Sequence, residues 1–227
     1  MIDLGGVDER QREREWLTAL GHELNNSVNA LVLGVTLAER LLSGDVARAR
    51  RHLEAARKNA VLVGRLVADH LEVTLLDQSH LEILLDEVEL GPFLREAVET
   101  SGLPGPLHSI RFALAEAVTV LADPGRLQQI LTNLLSNAVK YSTPGPLTLG
   151  SSREGERALI WLKDEGPGIA PCQLAMLFER YSRLPSRQKG LGLGLWVSRE
   201  MARLMGGELW ATSEGGSSTF YLSLPAV

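Results

Sequence analysis

One of the five histidines in the sequence, His22, stands where its type and spacing could support catalysis. Leu17, Leu20, Leu24, Val28, Leu31, Val35, Ala38 and Leu42 recur at helical spacing. On a helix of roughly 100° per residue, His22 lies about 160° from the mean direction of that stripe, so it faces solvent. Asn26, four residues on, shares its face, and Glu23 and Asn25 flank it. Glu23 could hydrogen-bond one ring nitrogen of an exposed imidazole and leave the other as a nucleophile. A plain solvated face is the competing reading of the same spacing. His52, His70, His80 and His108 have no such setting and read as structural. No histidine pairs with Cys172 at metal-ligand spacing, so no structural zinc site is expected.

Three further clusters lie later in the chain. In LQQILTNLLSNAVKYS, Asn133 and Asn137 are four apart on one helix face, with Lys140 about a turn on and Tyr141 adjacent. Amide oxygens can ligate Mg²⁺ and a lysine can meet phosphate. In DEGPGIA at 164–170, an aspartate before two close glycines can accept a hydrogen bond from an exocyclic amine while backbone approaches a flat base. In KGLGLGL at 189–195, glycines ahead of a helix can turn backbone N–H groups toward phosphates. Singly these are an ordinary polar helix, a turn and a glycine-rich loop; their order and separation make them informative. Cys172, beside Pro171, reads as a small apolar filler and not as a redox switch.

The elements that must position these residues fall into two groups. No proline interrupts Asp8 to Leu42, and a second apolar stripe runs through Ala49, Leu53, Ala56, Ala60, Val63, Val67 and Leu71, with Ser43, Gly44 and Asp45 between. Two long helices joined by so short a turn make an αα-hairpin, and a lone hairpin buries one side of each helix, so dimerisation into a four-helix bundle is expected. After about Asp77 short β-like runs (VEL at 88–90, IRFALA at 110–115, TVLA at 119–122, LTLG at 147–150, ALIWL at 158–162, ELWAT at 208–212, TFYLSL at 219–224) alternate with helical ones. Helices are expected after Gly91-Pro92, from Asp123-Pro124 and from Gly194 to Gly206-Gly207. The fold class is therefore α+β: an N-terminal hairpin over 1–77, a linker over 78–86, and an α/β sandwich over 87–227.

Composition sets the outer bounds. At 227 residues, 44% hydrophobic and 22% charged, the chain folds as a globular protein. A net charge of -5 gives no global cationic surface for nucleic acid. A single cysteine cannot form an internal disulfide, which fits a reducing compartment. No apolar run nears the roughly 18 residues of a membrane span, and the first residues lack the order of a signal peptide. These features predict a soluble, cytoplasmic chain with no membrane segment.

Taken in order, HELNNSV at 22–28, NLLSNAVKYS at 133–142, DEGPGI at 164–169, LFERYSR at 177–183 and GLGLGL at 190–195 resemble the histidine, asparagine, first glycine, phenylalanine and second glycine boxes of bacterial sensor histidine kinases. The resemblance covers nearly the whole chain. It implies a dimerisation and histidine-phosphotransfer hairpin, then an ATP-binding domain of the kind shared with gyrase, Hsp90 and MutL. It also implies a homodimer that binds ATP and Mg²⁺ and passes phosphate to the receiver domain of a response regulator, with a sensor module separate or missing. By the same resemblance His22 would be the phosphoacceptor, Glu23 its general base, and Asn26 a residue that orients water for dephosphorylation. Asn137 would hold Mg²⁺ with help from Asn133, Lys140 would touch phosphate and Tyr141 the nucleoside. Asp164 would read the adenine amine, with Gly166 and Gly168 shaping the pocket. Gly190, Gly192 and Gly194 would close a lid that Phe178 anchors, and Arg183 would approach the γ-phosphate.

Two departures from the pattern stand out. Ser27 occupies the place of a usual proline, and the lid, from Glu179 to Lys189, is short. The resulting expectation is ATP-dependent autophosphorylation of His22 and phosphotransfer to an aspartate. A phosphotransfer or phosphatase scaffold with weak kinase activity and a superfamily ATPase used as a conformational clamp are the alternatives.

Overall fold

The computed structural model describes residues 4–42, 44–78, 81–101, 103, 108–115, 117–182 and 192–227. Its contacts divide the chain into two units, Met1–Ser79 and His80–Val227.

The first unit is the expected hairpin, α1 over Leu4–Leu41 and α2 over Val46–Asp77. Asp45 caps α2, its carboxylate accepting from the Arg48 N–H at 2.9 Å. The hairpin buries four small residues, Ser27, Ala38, Ala49 and Ala56, and four large ones, Trp16, Leu20, Leu66 and Val73. A Cβ on Gly34 would lie 3.1 Å from the His52 carbonyl oxygen and 3.2 Å from the Ala56 Cβ, so that crossing needs a residue without one. Toward the open end the seam widens to admit Trp16, stacked on His70 with ring centroids 5.5 Å apart.

The single apolar stripe expected on α1 is in fact two. Trp16, Leu20, Ser27 and Ala38 point into the hairpin, while Leu17 and Val28 stay 45% and 44% exposed. The second set lies about 80° round the helix from the first. On α2, Leu53, Val67 and Leu71 are likewise exposed. One partner helix covers one face, so the other stays open within a single chain.

In the second unit, a five-stranded sheet has the order β2-β4-β5-β7-β6, with β2 (His108–Leu114), β4 (Gly145–Glu154), β5 (Arg157–Asp164), β6 (Glu208–Glu214) and β7 (Ser217–Pro225). Only β2 and β4 pair in parallel. The crossover between them carries β3 (Thr119–Ala122) and α4 (Pro124–Tyr141), and β3 pairs antiparallel with β1 (Asp86–Glu89). Helices α3 (Leu90–Ser101), α5 (Pro171–Met176) and α6 (Gly194–Leu204) complete the unit. Leu127, Ile130, Leu131, Leu134 and Leu135 of α4, at most 2% exposed, form the core with Leu147, Leu149, Ile160, Leu162, Leu222 and Leu224. Along β5 and β7 buried and partly exposed residues alternate, as in a sheet with helices on one face. On its other face Trp161 lies against Gly150, and Trp210 stacks on its cross-strand partner Tyr221 at 5.3 Å.

Two boundaries and the setting of Cys172 differ from expectation. The VEL strand starts two residues earlier and stops at Glu89, because Leu90 opens α3 while its N–H donates to the Val118 carbonyl at 2.8 Å. Most of the expected 78–86 linker belongs to the second unit: the Leu84 N–H donates to Asp123 Oδ2 at 3.0 Å, and Asp86 is already in β1. Asp123 also caps α4 through the Arg126 N–H at 3.0 Å. Burial raises its pKa, yet the N–H groups of Leu84, Arg126 and Gly125 outweigh that and leave it below its ordinary value. Cys172 is exposed at the start of α5 and fills no core space.

Candidate active site

Helix α4 buries Leu127, Ile130, Leu131, Leu134 and Ala138 on one stripe, and the 3.6-residue period turns Asn133, Asn137 and Lys140 onto its flank. There the two amides form a relay. Asn133 Nδ2 donates to Ser198 Oγ on α6 at 2.9 Å, and Asn137 Nδ2 donates to Asn133 Oδ1 at 3.5 Å, a long bond. Gly194 permits this: a Cβ on it would lie 2.6 Å from Asn133 Oδ1. Asn133 is thus engaged at both ends, whereas among the described residues no donor reaches Asn137 Oδ1. That oxygen is a hard, neutral donor of the kind Mg²⁺ accepts alongside phosphates and water. Lys140 and Tyr141 close the helix, Tyr141 43% exposed.

Asp164 ends β5 at 6% exposure. Its carboxylate accepts from the Gly166 N–H at 2.8 Å and from the Ser218 N–H on β7. Burial raises its pKa above the ordinary value of 3.8, and those two donors offset part of the rise. A Cβ on Gly166 would meet Asp164 Oδ1 at 2.6 Å and the Ser142 Cα at 3.1 Å. Gly168 has φ +76, and a Cβ there would lie 2.9 Å from Ser213 Oγ. Ser213 ties the loop to β6, accepting from the Ile169 N–H at 2.7 Å and donating to the Ser217 carbonyl at 2.9 Å.

Phe178 is buried, and the Arg199 guanidinium of α6 lies 5.5 Å from its ring centre. Arg180 sits over both Tyr181, at 5.1 Å, and Trp196 of α6, at 4.9 Å. Gly192, at φ +72, packs against the Ser182 carbonyl where a Cβ would overlap it. Backbone at residue 182 therefore touches backbone at residue 192. Arg183 and Gly190 lie outside the described residues.

In the first unit His22 and Asn26 are exposed and Glu23 is half-buried, as expected for the side of α1 that neither apolar stripe uses. No hydrogen bond joins His22 to Glu23. Ser27, in place of the usual proline, is 5% exposed and lies in the seam.

Asn133, Asn137, Gly194 and Ser198 thus come together on one side of the second unit, and Asp164, Gly166 and Ser218 at the end of its β5–β7 pair. A cleft of about 430 Å³ lies at the other side of the glycine turn. Pro167, Gly168, Gln173, Ser213 and Gly216 line it, and it includes neither amide and not Asp164. Sequence reasoning passed over Ser198, Ser218, Arg180 and Trp196. Ser198 lies one helical turn after Gly194, which is a readable signal, and Ser218 is fixed only by the β5–β7 register.

Residues 122–227 match the family described as Histidine kinase-, DNA gyrase B-, and HSP90-like ATPase. The chain is 33% identical over 241 residues to the adaptive-response sensory kinase SasA of Synechococcus elongatus, covering 96% of this chain and 61% of that one. Full-length ShkA, solved in complex with AMPPNP, superposes with a TM-score of 0.68 at 29% identity, over 94% of this chain and 46% of that one. The histidine kinase AdeS of Acinetobacter baumannii shares the fold, with a TM-score of 0.66 at 21% identity over 85% of this chain and 94% of that one. The chain spans less than two thirds of SasA's length. Among the described residues no helix is long and apolar enough to cross a membrane. Residues 122–227 thus carry an ATPase domain of that family behind a helical hairpin, and over nearly its whole length the chain is similar to sensor histidine kinases.

Proposed function

We propose that this chain is a Mg²⁺-dependent protein-histidine kinase that phosphorylates itself on His22 and passes the phosphoryl group to a response-regulator aspartate. The observation that carries the reading is the position of His22. It is exposed on the side of α1 that no packing uses, in a chain whose second unit belongs to an ATPase family. A ring nitrogen of His22 attacks the γ-phosphorus of ATP, the bond to the β–γ bridging oxygen breaks, and ADP leaves. Glu23 takes the proton that the imidazole sheds. Asp164 accepts from the adenine amine, and Gly166 and Gly168 let backbone approach the base. Asn137 offers its amide oxygen to Mg²⁺ while Asn133 holds it in place, Lys140 meets phosphate and Tyr141 the nucleoside. Bound there, Mg²⁺ supplies charge neutralisation for the phosphates. Phe178, Gly190, Gly192 and Gly194 shape the segment beside the nucleotide, and Arg183 approaches the γ-phosphate. The exposed second stripe of the hairpin supports a homodimer, and a cytoplasmic setting is consistent with the composition.

The deciding experiment is incubation with γ-labelled ATP and Mg²⁺, followed by acid and base treatment. A phosphoimidazole loses its label in acid and keeps it in base. The label should appear on the wild type and be absent from folded His22→Gln. Undiminished labelling of that variant would reject His22.

A further inference from the structure

Ser198 is buried in the second turn of α6, 2% exposed, on the face that also buries Val197, Met201 and Ala202. Its one hydrogen bond among the described residues is to Asn133, whose Nδ2 donates to its oxygen at 2.9 Å. A carboxamide has one donor end and one acceptor end, so pointing the nitrogen of Asn133 at Ser198 points its oxygen the other way. That oxygen lies where Gly194 leaves room for it and where Asn137 Nδ2 donates to it at 3.5 Å. Asn137 is oriented by the same logic. With its nitrogen committed to Asn133, its oxygen is the end left over for a cation.

We infer that Ser198 is a positioning residue for the metal–nucleotide site, acting through Asn133 to set which end of the Asn137 amide is offered to Mg²⁺. The inference rests on the proposed role of Asn137. Without the Ser198 oxygen the Asn133 amide has no fixed end, both orientations become populated, and Asn137 presents its –NH₂ group for part of the time. An –NH₂ group cannot ligate a cation. Partners of this kind that orient a ligand from behind typically change metal affinity by about tenfold or more.

The test is calorimetric titration of the whole chain with an unhydrolysable ATP analogue, once with excess Mg²⁺ and once with EDTA, taking the ratio of the two affinities. Ser198→Ala should lower the ratio about tenfold while leaving the affinity in EDTA unchanged. Ser198→Cys, close in volume but a poor acceptor, should do the same and stands in should the alanine variant not fold. On an Asn133→Ala background, Ser198→Ala should change nothing further. A Ser198→Ala ratio equal to the wild type's overturns the inference, as does an equal loss with and without Mg²⁺, which marks a packing defect. A wild-type ratio of one is a different failure: it removes Mg²⁺ from the proposed site and takes this inference with it.

Discussion

Asp164 and Ser218 face each other across the β5–β7 ladder, and the Asp164 carboxylate, 6% exposed, accepts the Ser218 N–H as well as that of Gly166. A buried carboxylate held by two backbone donors and, among the described residues, by no cation keeps acceptor capacity for an incoming amine, at the cost of a raised pKa. The sign of the pH effect follows. Because the folded pKa exceeds the unfolded one, this group favours folding in its protonated form, and that contribution is lost as pH rises from 3.8 through the folded value. Adenine binding needs the ionised form. ADP affinity should therefore fall as pH is lowered through the raised pKa, and Asp164→Ala should bind ADP weakly at every pH. Calorimetry across the acidic range checks both, and an Asp164→Ala affinity equal to the wild type's at neutral pH would exclude this carboxylate as the base acceptor.

Gly192 combines two constraints that can be separated. Its φ of +72 disfavours any side chain, and its Cα lies against the Ser182 carbonyl. Gly155 has a similar φ, +64, with nothing within 4 Å of where a Cβ would be. Both Gly→Ala changes should cost about 1–3 kcal/mol of backbone strain in denaturant unfolding. Gly192→Ala alone should also weaken nucleotide binding, because it pushes the chain at 182 and 192 apart. Equal nucleotide affinity in the two variants would rule out a role for the close approach.

How much of this was readable beforehand depends on whether the information is local. The α4 N-cap at Asp123, the exposed His22–Asn26 face and the pairing of Asn133 with Asn137 all follow from helical period and capping chemistry. The split of the α1 apolar positions into two stripes was not legible. Leu20 and Leu17 look alike in sequence, and only the crossing at Gly34 determines which faces α2. Ser218 and Ser198 escaped notice for a related reason: each reaches its partner across strands or helices far apart in sequence. Cys172 misled because cysteine is so often buried, and here a short helix on the surface overrides that tendency.

Arg180 joins the Phe178–Tyr181 segment to α6 by lying over Tyr181 and Trp196. A guanidinium on aromatic faces contributes about 0.5–2 kcal/mol, and a lysine does not reproduce its flat stacking. Arg180→Lys should shift the emission of Trp196, and the shift should vanish on a Trp196→Phe background. An unchanged spectrum in Arg180→Lys would show that the stacking does not hold in solution.

Leu53, Val67 and Leu71 leave an apolar face on α2 that α1 does not cover, with Leu71 57% exposed. Covering it with a second hairpin makes a four-helix bundle. Sedimentation should find the chain dimeric, and Leu71→Lys should shift it toward monomer by placing a charge in the seam. Leu204→Lys, at a leucine of the second unit that is 48% exposed, should leave the dimer intact, since Leu204 lies on no such stripe. Dissociation by both or by neither would place the interface elsewhere.

Asn26 lies one turn beyond His22 on the same exposed side of α1, and among the described residues its side chain forms no hydrogen bond. A carboxamide there can accept from one water hydrogen and donate to a phosphoryl oxygen, which places the water for attack on a phosphoaspartate docked against the hairpin. Phosphoryl transfer from ATP to His22 asks for no such water; His22, Glu23 and the nucleotide site suffice. The two activities therefore separate at this residue. Asn26→Ala should keep autophosphorylation within about twofold, because a solvent-exposed amide adds little to the stability of the helix that carries His22. It should lose most regulator phosphatase activity, by a factor of about 10² or more, as expected when a water-positioning group is removed. Asn26→Gln, which keeps the amide but moves it by one methylene, should fall between. Both rates are read on the same preparation with a receiver domain that accepts phosphate from this chain. Full phosphatase activity in Asn26→Ala, beside a wild type that shows it, would make Asn26 an ordinary solvated residue.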